Sequence, residues 1–310
     1  MTAVGLRIAL FGQAAFGKDV LVRLSDAGHQ IVGVYAPPDG RRPDPLAVEA
    51  DERGFALFRH RLFRSRGTAI PDLVTEHSGL EADLNVLAFV TAILPPEIID
   101  GPPHGSLCFH PSLLPRFRGG SALSWQLIEG ERESGVTVFR PDEGVDTGPI
   151  VVQRGGVEIT GEHTAGSLYF NHLYALGVDA MVDAVAAVAD GSAQYVPQDE
   201  SKATSQGLVG EAEARVDWTR SAVEIDRQLR GCDPQPGGRA ELDSEVVRLF
   251  DCRLIEETSA ERAGTLLGLV DGKIRISALG GVLSVGRVRI GDGKKIAAAE
   301  SGLLPGRVLS

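Results

Sequence analysis

Strand-length apolar runs alternate with segments of helical spacing through the first half of this chain. Leu6–Phe11 and Ile31–Tyr35 are two such runs, and Lys18–Ala27 between them places its large apolar residues on one side of a helix. Strand, helix and strand in this order form a βαβ unit. The pattern predicts an α/β protein with a mainly parallel sheet that helices cover on both faces.

The alternation continues toward the middle of the chain. Leu84–Phe89 predicts a buried strand, Pro95–Asp100 a helix that begins at a proline, and Ser106–Phe109 a further strand. Ligands of such sheets bind beyond the carboxyl ends of the strands. Because His110 directly follows the last of these strands, we expect a ligand site beside it.

Three further segments complete the predicted first domain. Val136–Arg140 and Pro149–Val152 predict strands. Thr164–Asp190 predicts one long helix, because its first residue is a good N-cap and a glycine follows its last. Gly191–Gly210 has little periodicity and many Ser, Gln, Gly and acidic residues, which predicts a linker.

A second, smaller domain is predicted to begin near Ala214, with a helix from Ser221 to Arg230. Short apolar runs separated by Gly and Asp turns then predict a small β-barrel or meander. These runs are Val246–Phe250, Thr265–Val270, Ile274–Ala278 and Val282–Val288. The predicted domains are therefore residues 1–205 and residues 206–310.

Composition excludes several classes of protein. The chain has 310 residues, 43% of them hydrophobic, so it can bury a full core. Its formal net charge of -11 disfavours a broad nucleic-acid surface, since affinity for phosphates comes mainly from basic residues. Three cysteines without paired spacing predict neither a disulfide framework nor a zinc site. No signal peptide opens the sequence and no apolar stretch approaches the roughly 20 residues of a membrane span, so we expect a soluble, cytoplasmic protein that binds no membrane.

The segment Gly12–Asp19 is similar to a phosphate-binding loop between the first strand and the first helix. Asp19 stands where such a loop needs a hydroxyl, and its carboxylate would repel phosphates. Two alternatives remain open: the glycines serve a tight turn, or the helix N-terminus faces an anionic part of a substrate. A dinucleotide-binding GxGxxG pattern is absent as well.

Two polar residues on separate loops predict acid/base chemistry. His110 leaves an apolar strand on a loop punctuated by Pro and Gly, and Asp146 lies on a second loop between glycines. Histidine and carboxylate side chains are the usual proton carriers of enzymes. The pair is the candidate catalytic centre.

The residues around this pair resemble the signature of the 10-formyltetrahydrofolate-dependent formyltransferases. The resemblance is carried by His110-Pro-Ser-Leu-Leu-Pro-x-x-x-Gly119 and by Asp146-Thr147-Gly148. Further similar segments are Ile8–Gly12, Asn85–Phe89, Ile93–Pro95 and Arg230–Gly237. Within the family the chain is most similar to the hydrolase domain of 10-formyltetrahydrofolate dehydrogenase, and next to methionyl-tRNA formyltransferase.

The resemblance implies a Rossmann-like formyltransferase domain followed by a small OB-like β-barrel domain. It also implies that 10-formyltetrahydrofolate is the formyl donor and that no metal and no NAD(P) acts in this chain. His110 would stabilise an oxyanion and move protons, while Asp146 would orient it. Loss of either residue should cost about 100-fold or more in rate.

The family places the pterin of the folate in an apolar slot between two segments. One side of the slot would be formed by Leu87, Phe89, Val90, Thr91, Ala92, Ile93 and Leu94, and the other by Asp142, Glu143, Gly144, Val145 and Gly148. Without the resemblance, the first segment would be interpreted as ordinary core.

Cys108 departs from the family pattern, because most members carry an asparagine two residues before the histidine. A thiol is a weaker hydrogen-bond donor than an amide, and loss of one oxyanion donor can cost about 3 kcal/mol. The hydrolase branch resembles this chain in lacking that asparagine. Cys108 and His110 alternate onto the same face of a strand, so Cys108 is a candidate nucleophile; the alternative is a buried, small apolar residue.

Three functions remain open from the sequence. The first is an enzyme that hydrolyses 10-formyltetrahydrofolate or passes its formyl group to a small amine. The second is a methionyl-tRNA formyltransferase, disfavoured because the chain offers only Arg41-Arg42 as a basic insert and its second domain has closely balanced charge. The third is a folate-binding module without turnover. A carrier segment and a dehydrogenase domain, fused or separate, would be partners in the first case.

Overall fold

The computed structural model describes residues 5–310, and close contacts divide the chain into two compact units. The first unit comprises residues 5–118, 135–155 and 173–204, and the second comprises residues 119–134, 156–172 and 205–310. The chain thus crosses from one unit to the other several times, rather than once at a single boundary. The domain boundary predicted between residues 205 and 206 stays a prediction.

Seventeen strands are assigned within the described residues. They are β1 Arg7–Gly12, β2 Gln30–Ala36, β3 Leu57–Arg59, β4 Arg64–Ser65, β5 Thr68–Ala69, β6 Leu84–Ala88, β7 Ser106–His110, β8 Arg118–Gly119, β9 Glu133–Phe139, β10 Ile150–Glu158, β11 Ser205–Gln206, β12 Gly238–Leu242, β13 Glu245–Ile255, β14 Leu266–Val270, β15 Lys273–Ala278, β16 Gly281–Ile290 and β17 Ile296–Ala297.

Nine α-helices are assigned within the described residues. They are α1 Ala14–Asp26, α2 Pro45–Glu52, α3 Pro71–Ser78, α4 Pro96–Ile99, α5 Ala122–Ile128, α6 Ala165–Leu168, α7 Tyr174–Asp190, α8 Glu211–Ala214 and α9 Ala222–Gly231. A π-helix at Tyr169–Leu173 and 3₁₀-helices at Glu200–Lys202 and Ala298–Glu300 complete the assignment.

The main sheet has the strand order β10-β9-β7-β6-β1-β2-β3. Strands β3, β2, β1, β6 and β7 are parallel to their neighbours in this order, and β9 is antiparallel to β7. The predicted mainly parallel, Rossmann-like sheet is therefore confirmed. Because the chain moves outward from β1 in both directions, a crevice for ligands lies at the carboxyl ends of β1 and β6.

The centre of this sheet is buried on both faces, as the continuous apolar runs predicted. Ile8 to Leu10 of β1 have no exposed surface, and α1 buries Phe16, Val20, Leu21 and Leu24. Helices on both faces remove the water-exposed side that would require alternating polar residues. The sheet is thus a rigid support for residues at its carboxyl edge.

The prediction of a single long helix over Thr164–Asp190 is wrong in the middle of this segment. Thr164 does cap the start, where its Oγ1 accepts from the Ser167 N–H at 3.1 Å, and Gly191 ends the helix with a φ of +77°. A five-residue π-helix, Tyr169–Leu173, separates α6 from α7. Apolar periodicity averages over such an insertion, so it gave no sign of the change in register.

The helical segment Ala165–Asp190 bears on the expectation that the chain has no membrane span. By length and composition it could cross a membrane, although no such segment was expected from the sequence. One such helix is a weak indication, because the core helix of a soluble protein passes the same test. Here α7 buries one side, with Val178, Met181, Ala184 and Val185 at most 5% exposed.

The predicted linker, Gly191–Gly210, is instead bonded to the first unit over much of its length. Val196 pairs with Ile150 through two backbone hydrogen bonds of 2.8 Å, and Thr204 accepts from the Arg118 N–H at 2.9 Å. Polar residues that bond to distant segments leave no periodic signal. The segment is therefore part of the first unit's structure up to Thr204.

The second unit is built on an antiparallel sheet of order β12-β13-β16-β15-β14, with β17 paired to β16. The four predicted apolar runs correspond to β13, β14, β15 and β16. Helix α9, capped by a reciprocal bond pair between Ser221 and Glu224, buries Ile225 and Leu229 in the core of this unit. Strands β12 and β17 were not predicted.

Candidate active site

His110 is the last residue of β7 and is only 6% exposed. Its Nε2 donates to the carbonyl of Phe117 at 2.8 Å. Phe117 has a left-handed φ of +61°, and the preceding turn is fastened by the Ser112 hydroxyl, which donates to the Arg116 carbonyl at 2.7 Å. The loop therefore folds back to fix the orientation of the imidazole.

Asp146 lies on the loop after β9, as the sequence predicted, and reaches the same point. Its Oδ2 is 3.4 Å from His110 Nδ1. The loop is shaped locally by Asp142, whose Oδ1 accepts from the Gly144 N–H at 3.0 Å and from the Thr147 hydroxyl at 2.5 Å. Glycine is required at 148, because a Cβ there would lie 1.8 Å from the Arg140 carbonyl oxygen. 

The hydrogen bond at Nε2 decides which proton this pair can move. A neutral imidazole that donates from Nε2 has its lone pair on Nδ1, which faces the Asp146 carboxylate. Burial lowers the pKa of His110, against the opposing effects of the Asp146 charge and the Phe117 carbonyl. Burial thus favours the neutral ring, and the Asp146 carboxylate would stabilise a proton that arrives at Nδ1.

Cys108 does not join the pair. Its Sγ donates weakly to the Phe109 carbonyl at 3.7 Å, whereas both imidazole nitrogens of His110 face other partners. Burial, and secondly the charge of Asp146, raise the pKa of the thiol well above its usual range. The side chain packs against a core cluster that contains Phe11 and Leu87. These contacts favour a small apolar residue over a nucleophile.

The predicted folate segment 87–94 divides into buried and exposed residues. Leu87 and Leu94 are each 5% exposed and belong to the core. Phe89 is 42% exposed with a φ of +64°, and Ile93 is 73% exposed. On the other predicted side, Val145 is 65% exposed. The exposed apolar residues are available to a ligand, and the buried ones support them.

Two cavities open against the middle of this segment. A cavity of about 210 Å³ at the carboxyl ends of β1, β2 and β3 is lined by Val90, Thr91 and Ala92, together with aromatic residues. A second, of about 510 Å³, is lined by Thr91, Ala92 and Ile93 on one side. Both lie within the first unit.

Two arginines, Arg61 and Arg64, line the larger cavity. Arg61 is exposed and makes no hydrogen bond or ion pair within residues 5–310. Arg64 donates from Nη2 to the Gly67 carbonyl at 2.9 Å, but its buried Nε has no acceptor among the described residues. Two guanidinium groups with spare donors make this cavity suitable for an anion.

The start of α1 shows which interpretation of Gly12–Asp19 the structure favours. The Ala14 N–H donates to both carboxylate oxygens of Asp44, at 2.9 and 3.1 Å, and Asp19 accepts from the Tyr174 hydroxyl at 2.6 Å. A carboxylate of the chain itself thus occupies the helix start. The loop is a tight turn with an internal cap rather than an open phosphate site.

Sequence reasoning missed three residues behind the pair. Gln198 donates to the carbonyls of Asp146 and Gly148, and its oxygen accepts from Arg118, which is bound to Glu200. Arg118 lies within the quoted motif region, but the other two lie in the predicted linker, where no pattern indicated a role. Between residues 5 and 310, no group of three or more His, Cys, Asp or Glu side chains is arranged to hold a metal ion.

Both parts of the chain match known protein families. The family described as Formyl transferase matches residues 6–185, and Formyl transferase, C-terminal domain, matches residues 209–302. The chain is 38% identical over 306 residues to mitochondrial 10-formyltetrahydrofolate dehydrogenase of Mus musculus. This match covers 95% of this chain but 33% of that protein. It is 37% identical over 269 residues to methionyl-tRNA formyltransferase of Dinoroseobacter shibae, covering 84% of this chain and 86% of that protein. The chain thus spans about a third of the length of the dehydrogenase it matches.

Solved structures share the fold. HypX from Aquifex aeolicus in complex with tetrahydrofolic acid superposes with a TM-score of 0.71 at 22% identity, over 96% of this chain and 46% of HypX. An N-formyltransferase from Helicobacter canadensis gives a TM-score of 0.69 at 17% identity, over 90% of this chain and 98% of that one. With both parts matched and with a relative of similar length above 30% identity, the chain belongs to the formyl transferase family.

Proposed function

We propose that this chain takes the formyl group from 10-formyltetrahydrofolate and gives it to water or to a small amine. The observation that carries the proposal is the buried pair at the carboxyl edge of the sheet, with His110 Nδ1 3.4 Å from Asp146 Oδ2 and Nε2 held by Phe117. The similarity to 10-formyltetrahydrofolate dehydrogenase over 95% of the chain supports the choice of donor.

The chemistry requires a proton to leave the attacking group and a proton to reach the folate nitrogen. Water or an amine attacks the formyl carbon, and the carbonyl oxygen becomes an oxyanion in a tetrahedral intermediate. The attacking group gives its proton to the His110–Asp146 pair, in which the carboxylate stabilises the imidazolium. The same proton then passes to the folate nitrogen as its bond to the formyl carbon breaks, leaving tetrahydrofolate and formate, or a formylated amine. No metal or nicotinamide enters these steps.

The folate would lie along the exposed part of segment 87–94, with its carboxylates toward Arg61 and Arg64. These are the guanidinium groups with spare donors in the cavity of about 510 Å³. Phe89 and Ile93 would cover the apolar part of the folate. The charge of Asp142 and Glu143 on the opposite loop would keep the folate carboxylates away from that side.

Transfer to methionyl-tRNA is the second candidate, favoured by the relative that matches over 86% of its own length. The net charge of -11 argues against it, because tRNA affinity depends on released counterions. A folate-binding module without turnover is the third, and the short distance within the pair argues against it. With the first candidate we also propose a cytoplasmic location. Its partner would be a carrier and dehydrogenase part, fused or separate.

Release of tetrahydrofolate distinguishes these candidates. The purified chain is mixed with 10-formyltetrahydrofolate in buffer alone, with a small primary amine, or with charged methionyl-tRNA. We expect turnover in buffer or with the amine. Turnover only with the tRNA would establish the second candidate, and bound folate without turnover under all three conditions would establish the third.

A further inference from the structure

The side chain of Gln198 connects the Asp146 loop to a buried arginine. Its Nε2 donates to the Asp146 carbonyl at 2.8 Å and to the Gly148 carbonyl at 2.7 Å. Its Oε1 accepts from Arg118 Nε at 3.1 Å and Nη2 at 2.8 Å. A reversed carboxamide would place an oxygen against two carbonyls and an NH₂ group against a guanidinium, so its orientation is fixed.

Arg118 is itself held firmly. It is 6% exposed, and its Nη1 and Nη2 donate to the two carboxylate oxygens of Glu200 at 2.9 and 2.6 Å. A bidentate arginine–carboxylate pair fixes direction as well as distance. The planar guanidinium therefore presents its remaining donors to Gln198 in one orientation.

The same short segment also contacts the loop that orients His110. Thr204 accepts from the Phe117 N–H at Oγ1, at 2.8 Å, and from the Arg118 N–H at its carbonyl, at 2.9 Å. Phe117 is the residue whose carbonyl accepts from His110 Nε2. Residues 198–204 thus hold both the histidine side and the aspartate side of the pair.

We propose that Gln198, oriented by Arg118, is a positioning residue that sets the separation of His110 and Asp146. The backbone of Asp146 has a φ of +56°, an unfavourable conformation for a residue other than glycine that persists only where its surroundings hold it. Without the carboxamide, the carbonyls on both sides of Thr147 lose their donor. The Asp146 loop then relaxes and the carboxylate moves away from Nδ1. The inference rests on the proposed function, in which this pair moves the proton.

Kinetics of two variants provide the first test. Gln198→Ala removes the carboxamide, and Gln198→Met fills the same space without hydrogen-bonding groups. For both we expect kcat for tetrahydrofolate release to fall tenfold to 100-fold, as for a misplaced catalytic group, with KM within about twofold. Gln194→Ala is the matched control, since Gln194 is exposed and bonds only to the nearby Ser192 carbonyl; it should leave both constants unchanged.

Titration of the His110 ring by NMR provides a second test that needs no turnover. Asp146 raises the pKa of His110 against the effect of burial, so a displaced Asp146 leaves burial dominant. Both Gln198 variants should therefore titrate at lower pH than the unaltered protein, whereas a loss of stability alone would not move the pKa of the folded form. A shifted pKa in a protein that never turns over would support the positioning and contradict the proposed function. Unchanged kcat and unchanged titration in an active protein would overturn the positioning alone.

Discussion

At the scale of single residues, the site depends on one hydrogen bond that fixes a tautomer. Because His110 Nε2 donates to the Phe117 carbonyl, Nδ1 is left to accept a proton beside Asp146. Burial alone would make the imidazole a poor base, and the nearby carboxylate compensates in part. The residue types were predictable from the sequence, whereas the roles of the two nitrogens depend on which partner each one faces in the folded structure.

The pH dependence of turnover follows from the lowered pKa of His110. Only the neutral ring accepts a proton, so kcat should stay level down to the ordinary histidine pKa of 6.5 and fall only at lower pH. Replacing Asp146 by asparagine removes a charge that raises this pKa. In Asp146→Asn the residual rate should fall at still lower pH than in the unaltered protein, as measured by kcat from pH 4.5 to 8. An acid limb that moves to higher pH would contradict this account.

Cys108 is expected to be dispensable for the chemistry. Its thiol is held protonated by burial and bonds only to the neighbouring carbonyl, so it cannot form a formyl thioester at a useful rate. Cys108→Ala should keep kcat within about threefold, because neutral thiols are weak donors. Intact-mass measurement during turnover should find no formyl adduct. A loss of 100-fold or more, or such an adduct, would make Cys108 the nucleophile.

At the scale of elements, a buried polar network connects the first residues of β6 and β7 to α3 and to α4, the helix that follows the folate segment. Asn85 of β6 donates to the Ile98 carbonyl at 2.7 Å and to the Ser106 hydroxyl at 3.2 Å, while its oxygen faces His77 Nε2 at 2.8 Å. The Ser106 hydroxyl donates in turn to the Ile99 carbonyl at 2.6 Å. These bonds connect β6, β7, α3 and the end of α4. They therefore fix the position of α4, the helix that follows Leu94, against the sheet.

Loss of this network should be costly. Asn85 has no exposed surface, so Asn85→Ala leaves the Ile98 carbonyl and His77 without partners in the core. We expect the free energy of unfolding in urea to fall by about 3 kcal/mol. Asn171→Ala, the same substitution at an exposed position, should change it by less than about 0.5 kcal/mol. Equal effects of the two substitutions would show that the network contributes little.

The β4–β5 hairpin is expected to contribute to folate affinity and not to the chemical step. Arg64→Gln removes a charged donor from the larger cavity, and a hydrogen bond to a charged group contributes at least about 1.5 kcal/mol. KM for 10-formyltetrahydrofolate should therefore rise about tenfold while kcat stays the same. Arg66→Gln changes a neighbouring arginine outside the cavity lining and should leave KM unaltered. A fall in kcat without a change in KM would place Arg64 elsewhere in the mechanism.

Elements were predictable where their signal is local. Continuous apolar runs predicted β1 and β6, and a proline predicted the start of α4. The π-helix at Tyr169–Leu173 and the attachment of Gln198 did not, because both depend on contacts with distant segments rather than on periodicity. The positions of His110 and Asp146 followed from motif spacing, but the arginines of the larger cavity are recognisable only by their missing acceptors.

At the scale of the whole molecule, family membership restricts the activity without choosing the acceptor. The relatives include dehydrogenases of which this chain spans about a third and a tRNA formyltransferase of similar length. The excess of acidic over basic residues disfavours a large polyanionic acceptor. What the candidate acceptors share is a tetrahedral intermediate at one formyl carbon, so the claim that unites them is the role of the His110–Asp146 pair.

The direct test of that claim is the rate of tetrahydrofolate release from 10-formyltetrahydrofolate by the unaltered chain and by His110→Ala. His104→Ala is the matched control, because His104 is an exposed histidine a few residues earlier. We predict at least about a 100-fold loss of kcat for His110→Ala, with folate binding retained, and no change for His104→Ala. Turnover by His110→Ala within a few fold of the unaltered rate would contradict the account.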